Sequence, residues 1–236
     1  MGGMDGERAM TEAKSRRRRK PADEESPVLT PPTRGIGTIE AIIDAAERLW
    51  GDHGMEGASL REIGIAAGSA NKSSIGYHFG DKHGLIGAIF KARIPALEEH
   101  REPLLAAARA EGRLDDPVTL LRITFAPVFH AVDGDGRHRF AALLRAVNHY
   151  SLWDGQRAMQ EHAPLAFYVL GLLRKLVPHL PQNLFDARIR LVNEICYGAA
   201  TDQDDNPSAA GPDTVLAEQL FEDALRTSVY MIFLDS

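Results

Sequence analysis

Three glycine-centred breaks crowd into the stretch between Thr38 and Lys82, at Gly54, Gly68 and Gly80. They leave room there for one helix of about four turns followed by two short ones. In the first segment Ile39, Ile42, Ile43, Ala46, Leu49 and Trp50 recur at spacings of three and four, which makes a single apolar stripe. Gly54 can adopt the left-handed conformation that ends a helix. The second segment opens with Ser59-Leu60-Arg61-Glu62, a capping-box sequence, and Leu60, Ile63 and Ala67 give it a short apolar face. Residues Gly68 to Asn71 break it, and Lys72 to Phe79 leave space for about two more turns.

The rest of the chain follows the same helical period. A longer helix opens with Leu85, Ile86, Ile89, Phe90, Ile94 and Leu97 on one face, and Pro95 and Pro103 are expected to kink or interrupt it. Further helices are expected over Pro117–Ala131, Arg137–Tyr150, Gln156–Val177, Asn183–Ala200 and Asp213–Leu234. The breakers between them are Asp133-Gly134-Asp135-Gly136, the pair Pro178 and Pro181, and the polar stretch from Thr201 to Pro212. Alternating strand patterns and internal repeats are missing, so the expected class is all-α. Residues 1–33 read as a disordered arm, rich in charge, Pro, Gly and Ser and poor in apolar periodicity. Its basic block, Arg16 to Lys20, suits either a solvated tail or contact with phosphates.

With 236 residues, 44% of them hydrophobic, the chain can close a core without cross-links. Cys196 is its one cysteine, which excludes an intramolecular disulfide and fits a reducing cytoplasm. No apolar run approaches the roughly 20 residues that span a bilayer. The net charge of −6 does not decide for or against a nucleic-acid partner. What matters to phosphates is the local potential, not the sum over the chain.

One longer helix followed by two short ones with a tight break has the shape of a helix-turn-helix, whose second short helix enters the DNA major groove. That role needs small polar side chains outward and apolar anchors inward. Asn71, Lys72, Ser73, Ser74, Tyr77 and His78 supply the donors and acceptors, while Ile75 and Phe79, four apart, face the other way. Asn pairs with an adenine edge, Ser adapts, and Lys favours guanine or phosphate. Gly76 lets the backbone approach DNA closely, and Asn71 either reads a base or caps the helix.

Residues Arg34 to Leu85 resemble the DNA-binding region of the TetR family of regulators. The matching pieces are Ile42-Ile43-Asp44-Ala45-Ala46-Glu47-Arg48-Leu49-Trp50, Gly54, Ser59-Leu60-Arg61-Glu62-Ile63, Ala66-Ala67-Gly68, Tyr77-His78-Phe79-Gly80-Asp81-Lys82 and Gly84-Leu85. Two departures stand out: the break before the aromatic segment is one residue longer than usual, and Gly76 replaces a frequent tyrosine. The resemblance implies that Lys82, at a helix N-terminus, contacts phosphate. It also implies a DNA-binding domain over 34–83 and a helical effector-binding and dimerisation domain over 84–236. The expected protein is a homodimer on a palindromic double-stranded DNA operator, a repressor released by a small apolar effector.

Other chemistries fail on their own requirements. Gly68-Ser69-Ala70-Asn71-Lys72-Ser73 lacks the glycines and leading strand of a phosphate loop. Asp202-Gln203-Asp204-Asp205-Asn206 is followed by Pro207 where a calcium loop needs glycine. The nine histidines show no zinc-ligand spacing, and no serine lies in a nucleophile elbow. Neither metal nor cofactor is expected, and no enzymatic activity. A helical adaptor that binds protein, or a regulator without a small ligand, is the alternative.

An effector cavity between bundle helices is expected to draw on Phe125, Phe129, Leu144, Val147, Tyr150, Trp153, Phe167 and Leu170. The last two helices carry more apolar surface than one core face requires. Leu184, Val192, Ile195, Leu216, Leu220, Leu225 and Val229 are therefore the candidate dimer contacts.

Overall fold

The computed structural model describes residues 39–68, 74–149, 160–206 and 214–234. The basic arm lies outside them. Among the described residues there are nine principal helices and no extended strand. They are α1 (Ile39–His53), α2 (Leu60–Ala66), α3 (Ser74–Phe79), α4 (Lys82–Ala110) and α5 (Pro117–Phe129), then α6 (Arg139–Asn148), α7 (Pro164–Leu176), α8 (Gln182–Asp205) and α9 (Thr214–Ile232).

The first three form the unit expected from the breaks. In α1, Ile42, Ile43, Ala46 and Trp50 are buried, and the Trp50 indole N–H donates to the Ala58 carbonyl at 3.0 Å. That bond holds the loop before α2 against the end of α1. The capping box at Ser59 forms in both directions: its backbone N–H donates to Glu62 Oε2 at 2.8 Å, and Glu62 N–H donates to Ser59 Oγ at 3.3 Å. Gly54 sits at φ +75°, the left-handed position that ends α1.

Two expectations fail instructively. α4 is one unbroken helix through both Pro95 and Pro103. Both prolines are exposed, and the carbonyls they deprive of a partner belong to Lys91 and Glu99, which are also exposed. Water can satisfy such carbonyls, so neither proline has to end the helix. The polar stretch after Ala200 was expected to break the chain, yet α8 continues to Asp205. Thr201 is buried there, and Asp204 accepts from the His138 backbone N–H at 2.6 Å while its other oxygen meets His138 Nδ1 at 3.1 Å. Tertiary partners thus extend a helix that local propensity would have ended.

The larger body packs α4, α5, α7, α8 and α9 around shared apolar residues, with α8 and α9 side by side. Phe129 and Phe221 stack at 4.2 Å between α5 and α9. Cys196 is buried near Ser228, and burial pushes its thiol up to about 12, so it is unreactive at neutral pH. No described helix is long and apolar enough to cross a membrane.

Candidate nucleic-acid interface and its connection to a cavity

α3 is held from beneath and open above. Ile75 is 4% exposed, and Gly64 on α2 makes room for it: a Cβ there would lie 3.2 Å from Ile75 Cδ1. Phe79 packs partly against the core. On the other side, Gly76 and His78 are exposed, and nothing lies within 4 Å of the place where a Gly76 Cβ would sit. A surface can therefore come close to the backbone at Gly76. Ser74 and Tyr77 belong to α3 by their backbone, although their side chains are not described. Asn71, Lys72 and Ser73 fall outside the described residues.

Lys82 opens α4, as expected for a phosphate contact, but its ammonium is already engaged. Nζ donates to the Met55 carbonyl at 2.8 Å and to Glu56 Oε1 at 3.3 Å. The lysine thereby ties the start of α4 to the loop after α1. Any phosphate meeting it competes with Glu56, whose side chain is 82% exposed. Asp81 caps α4 by accepting from Gly84 N–H at 3.0 Å, and that bond holds its carboxyl below the ordinary value. Glu62 is likewise lowered by its bond from the Ser59 backbone.

The three-helix unit is bolted to the body at two places. Arg93 of α4 reaches between Glu47 at 2.6 Å and Asp44 at 2.5 Å on α1. Glu47 is buried, which raises its carboxyl above the ordinary value although Arg93 opposes the shift. At the far end of α1, Gly51 lies against the α6 backbone; a Cβ there would come within 2.8 Å of the Arg139 carbonyl oxygen. The Arg139 guanidinium donates to Asp52 at 3.1 Å, Asp133 at 2.8 Å and Asp135 at 2.5 Å. Burial opposes its charge, but these bonds hold its pKa above the ordinary arginine value.

α4 and α6 also form walls of a cavity of about 370 Å³, closed further by α5, α7 and α8. Of the residues expected there, Leu144, Val147 and Leu170 line it. Phe125 instead packs on Tyr197 at 5.6 Å, and Phe129 is occupied with Phe221. Phe167 is 39% exposed on the outer side of α7. These three aromatics serve the core or the surface, because helical period alone does not say which side of a stripe meets a void. Tyr150 and Trp153 fall outside the described residues. The sequence reasoning missed the polar lining: Arg101 from α4, Thr124 from α5, Asn148 from α6, and Asp186, Arg190, Asn193 and Tyr197 from α8. The signal was present as polar residues at spacings of three and four beside Ile189.

Among the expected dimer contacts, Val192 and Leu225 are fully buried within the chain and offer no surface to a partner. Leu184 and Val229 pack partly against the core, and Ile195 is half-buried. Leu216 and Leu220 are exposed, together with Leu191, Tyr230 and Leu234, which the sequence pattern did not single out. On α9, Leu216 and Leu220 lie one turn apart, with Val215 and Tyr230 also exposed, away from the face that holds Ala217, Phe221 and Leu225.

Residues 42–89 match the family model described as bacterial regulatory proteins, tetR family. No curated protein matches the chain.

Proposed function

We propose, on the premise that this chain, whose residues 42–89 match the model of bacterial regulatory proteins of the tetR family, is a DNA-binding transcriptional regulator of that family, that it is a homodimeric repressor released from its operator by a small molecule. Residues 34–83 serve DNA binding, and residues 84–236 hold the ligand and the dimer contact. The setting is cytoplasmic. The observation that carries this reading is the double duty of α4 and α6. α4 runs from beside α3 to the cavity wall at Phe90, Ile94 and Leu97, and α6 seats α1 at Arg139 while Leu144 and Val147 line the same cavity.

A ligand that spreads α4 from α6 shifts both attachments of the DNA-binding unit. It weakens DNA binding only to the extent that it binds the spread form better. In a dimer the two α3 helices need a separation of about 34–36 Å to enter successive major grooves, so a small tilt of each unit is enough to spoil the fit. The exposed apolar stripe of α9, with Leu191 of α8, supports pairing about a two-fold axis.

The test is fluorescence anisotropy with DNA from upstream of the chain's own coding sequence, repeated over a salt series. Specific binding is expected, with log affinity falling linearly in log salt. Selection from a random DNA pool is expected to return inverted repeats whose half-sites lie one helical turn apart. Tyr77→Ala and Lys82→Ala are each expected to weaken binding at least ~10-fold, in line with about 1–3 kcal/mol for a good contact. Unchanged affinity in both variants would place the reading surface elsewhere.

A further inference from the structure

The cavity wall carries its polar groups in a pattern that restricts the charge and shape of what can fill it. Five α8 residues line it, Asp186, Ile189, Arg190, Asn193 and Tyr197, all on one helical face. Arg190 is exposed at the outer end, and Tyr197 is 8% exposed at the inner end. Seven residues of helix separate them, a depth of about 10 Å at 1.5 Å per residue. The cavity volume equals roughly a dozen waters at about 30 Å³ each.

The Tyr197 hydroxyl makes no hydrogen bond with the described residues, although its ring packs on Phe125. Among the described residues, no fully buried polar side-chain atom lacks a partner. The oxygen must therefore open onto the cavity that the residue lines. Burial raises the phenol's pKa, so it stays protonated and can donate.

The charge of the inner wall is already paired. Arg101 is the one arginine of the inner wall, and its guanidinium is already engaged. Nε donates to the Ile123 carbonyl at 3.1 Å and one terminal nitrogen to the Thr124 carbonyl at 2.9 Å, while the other pairs with Glu98. The Ile123 carbonyl needs this donor, because its helical partner would have been the N–H that Pro127 lacks. Arg101 thus repairs α5 and is not available to hold an anion. At the mouth, Arg190 and Asp186 lie one turn apart with opposite charges. Asn193 donates to Asn148 Oδ1 at 3.2 Å, which leaves its own carbonyl oxygen as a further neutral group one turn above Tyr197.

We propose that the ligand of this cavity is an uncharged, largely apolar molecule about 10 Å long, whose inward end presents a carbonyl oxygen to the Tyr197 hydroxyl. An ionised head group at the inner end would have to shed its water with no free opposite charge to receive it. The claim rests on the regulator reading for its biological meaning, but its test does not.

Isothermal titration of the full chain, without DNA, compares four probes of one shape: 2-acetylnaphthalene, 2-ethylnaphthalene, 2-naphthoate and 2-naphthylmethylammonium. The ketone is expected to bind at least ~10-fold tighter than either ion. Tyr197→Phe is expected to weaken the ketone ~3–10-fold and to leave 2-ethylnaphthalene unchanged, the range one neutral hydrogen bond supplies. Leu144→Trp, which fills the void from α6, is expected to abolish ketone binding. Thermal melts of both variants check that they fold.

Four results overturn the proposal: an ion binding as well as the ketone, equal weakening of ketone and hydrocarbon by Tyr197→Phe, ketone binding that survives Leu144→Trp, or no binding by any probe. Gel shifts with the upstream DNA are run separately. Ketone binding without DNA binding would sink the regulator reading and leave the ligand assignment standing, and the converse holds equally.

Discussion

Replacing Arg139 with alanine removes the clamp between α1 and α6, and its cost can be worked from its three partners. Asp52 at 3.1 Å and Asp133 at 2.8 Å are mostly buried, with side chains 20% and 17% exposed. A hydrogen bond to a charged group contributes about 1.5–3 kcal/mol when well buried, and these partly wet ones about 1–1.5 kcal/mol each. Asp52 keeps a second partner in Arg137 at 3.1 Å, and Asp133 keeps two backbone donors. Those remaining bonds limit the damage from stranded charge. Asp135 is open to solvent and adds little. The expected loss is about 2–3 kcal/mol.

Arg145→Ala is the internal reference, since that arginine pairs with Glu194 from a side chain 47% exposed, where such pairs contribute about 0–1 kcal/mol. Both variants are read by urea denaturation followed by far-ultraviolet circular dichroism, taking the midpoint at constant slope. Arg139→Lys should fall between wild type and alanine, because an ammonium keeps the charge but not the forked geometry. If Arg139→Ala loses no more than Arg145→Ala, the clamp is decorative and the α6 route from cavity to DNA unit loses its anchor.

Glu56→Gln should free Lys82 from its carboxylate partner and remove a negative charge beside the phosphates, raising DNA affinity a few-fold in anisotropy titrations. Gly84→Ala places a Cβ 1.9 Å from the Phe79 carbonyl oxygen, so it should abolish DNA binding while the body keeps most of its helical signal. Leu216→Asp with Leu220→Asp should shift the protein to a monomer in sedimentation velocity and remove cooperative operator binding. The Glu62 carboxyl lies below its ordinary value of 4.5 in the fold, so its contribution is present above that pH and fades as the pH falls through the lowered value. Acid melts of Glu62→Gln should accordingly lose less stability below about pH 4.5 than wild type does.

The helix-turn-helix was legible because its signals are local. Ser59 and Glu62 are three residues apart, Gly54 needs only its own backbone freedom, and the stripe from Ile42 to Trp50 repeats within one helix. Interactions over three or four residues are written in the order of the residues themselves. The same holds for the inert Cys196, surrounded by apolar neighbours in the chain before any folding.

Long-range packing decided the rest. Pro95 and Pro103 looked like breaks until the fold turned both outward, where water can serve the carbonyls they abandon. Val192 and Leu225 are apolar residues like Leu216 and Leu220, yet the packing of α8 on α9 buries the first pair and leaves the second outside. Arg101 acquires its role only when α4 brings it to the carbonyl that Pro127 leaves unpaired on another helix. Tyr197 becomes a ligand handle only because five helices stop short of filling the space before its hydroxyl. A sequence alone thus determines where helices begin, end and carry their apolar stripes; the tertiary structure decides which side of a stripe is covered, because that depends on partners far along the chain.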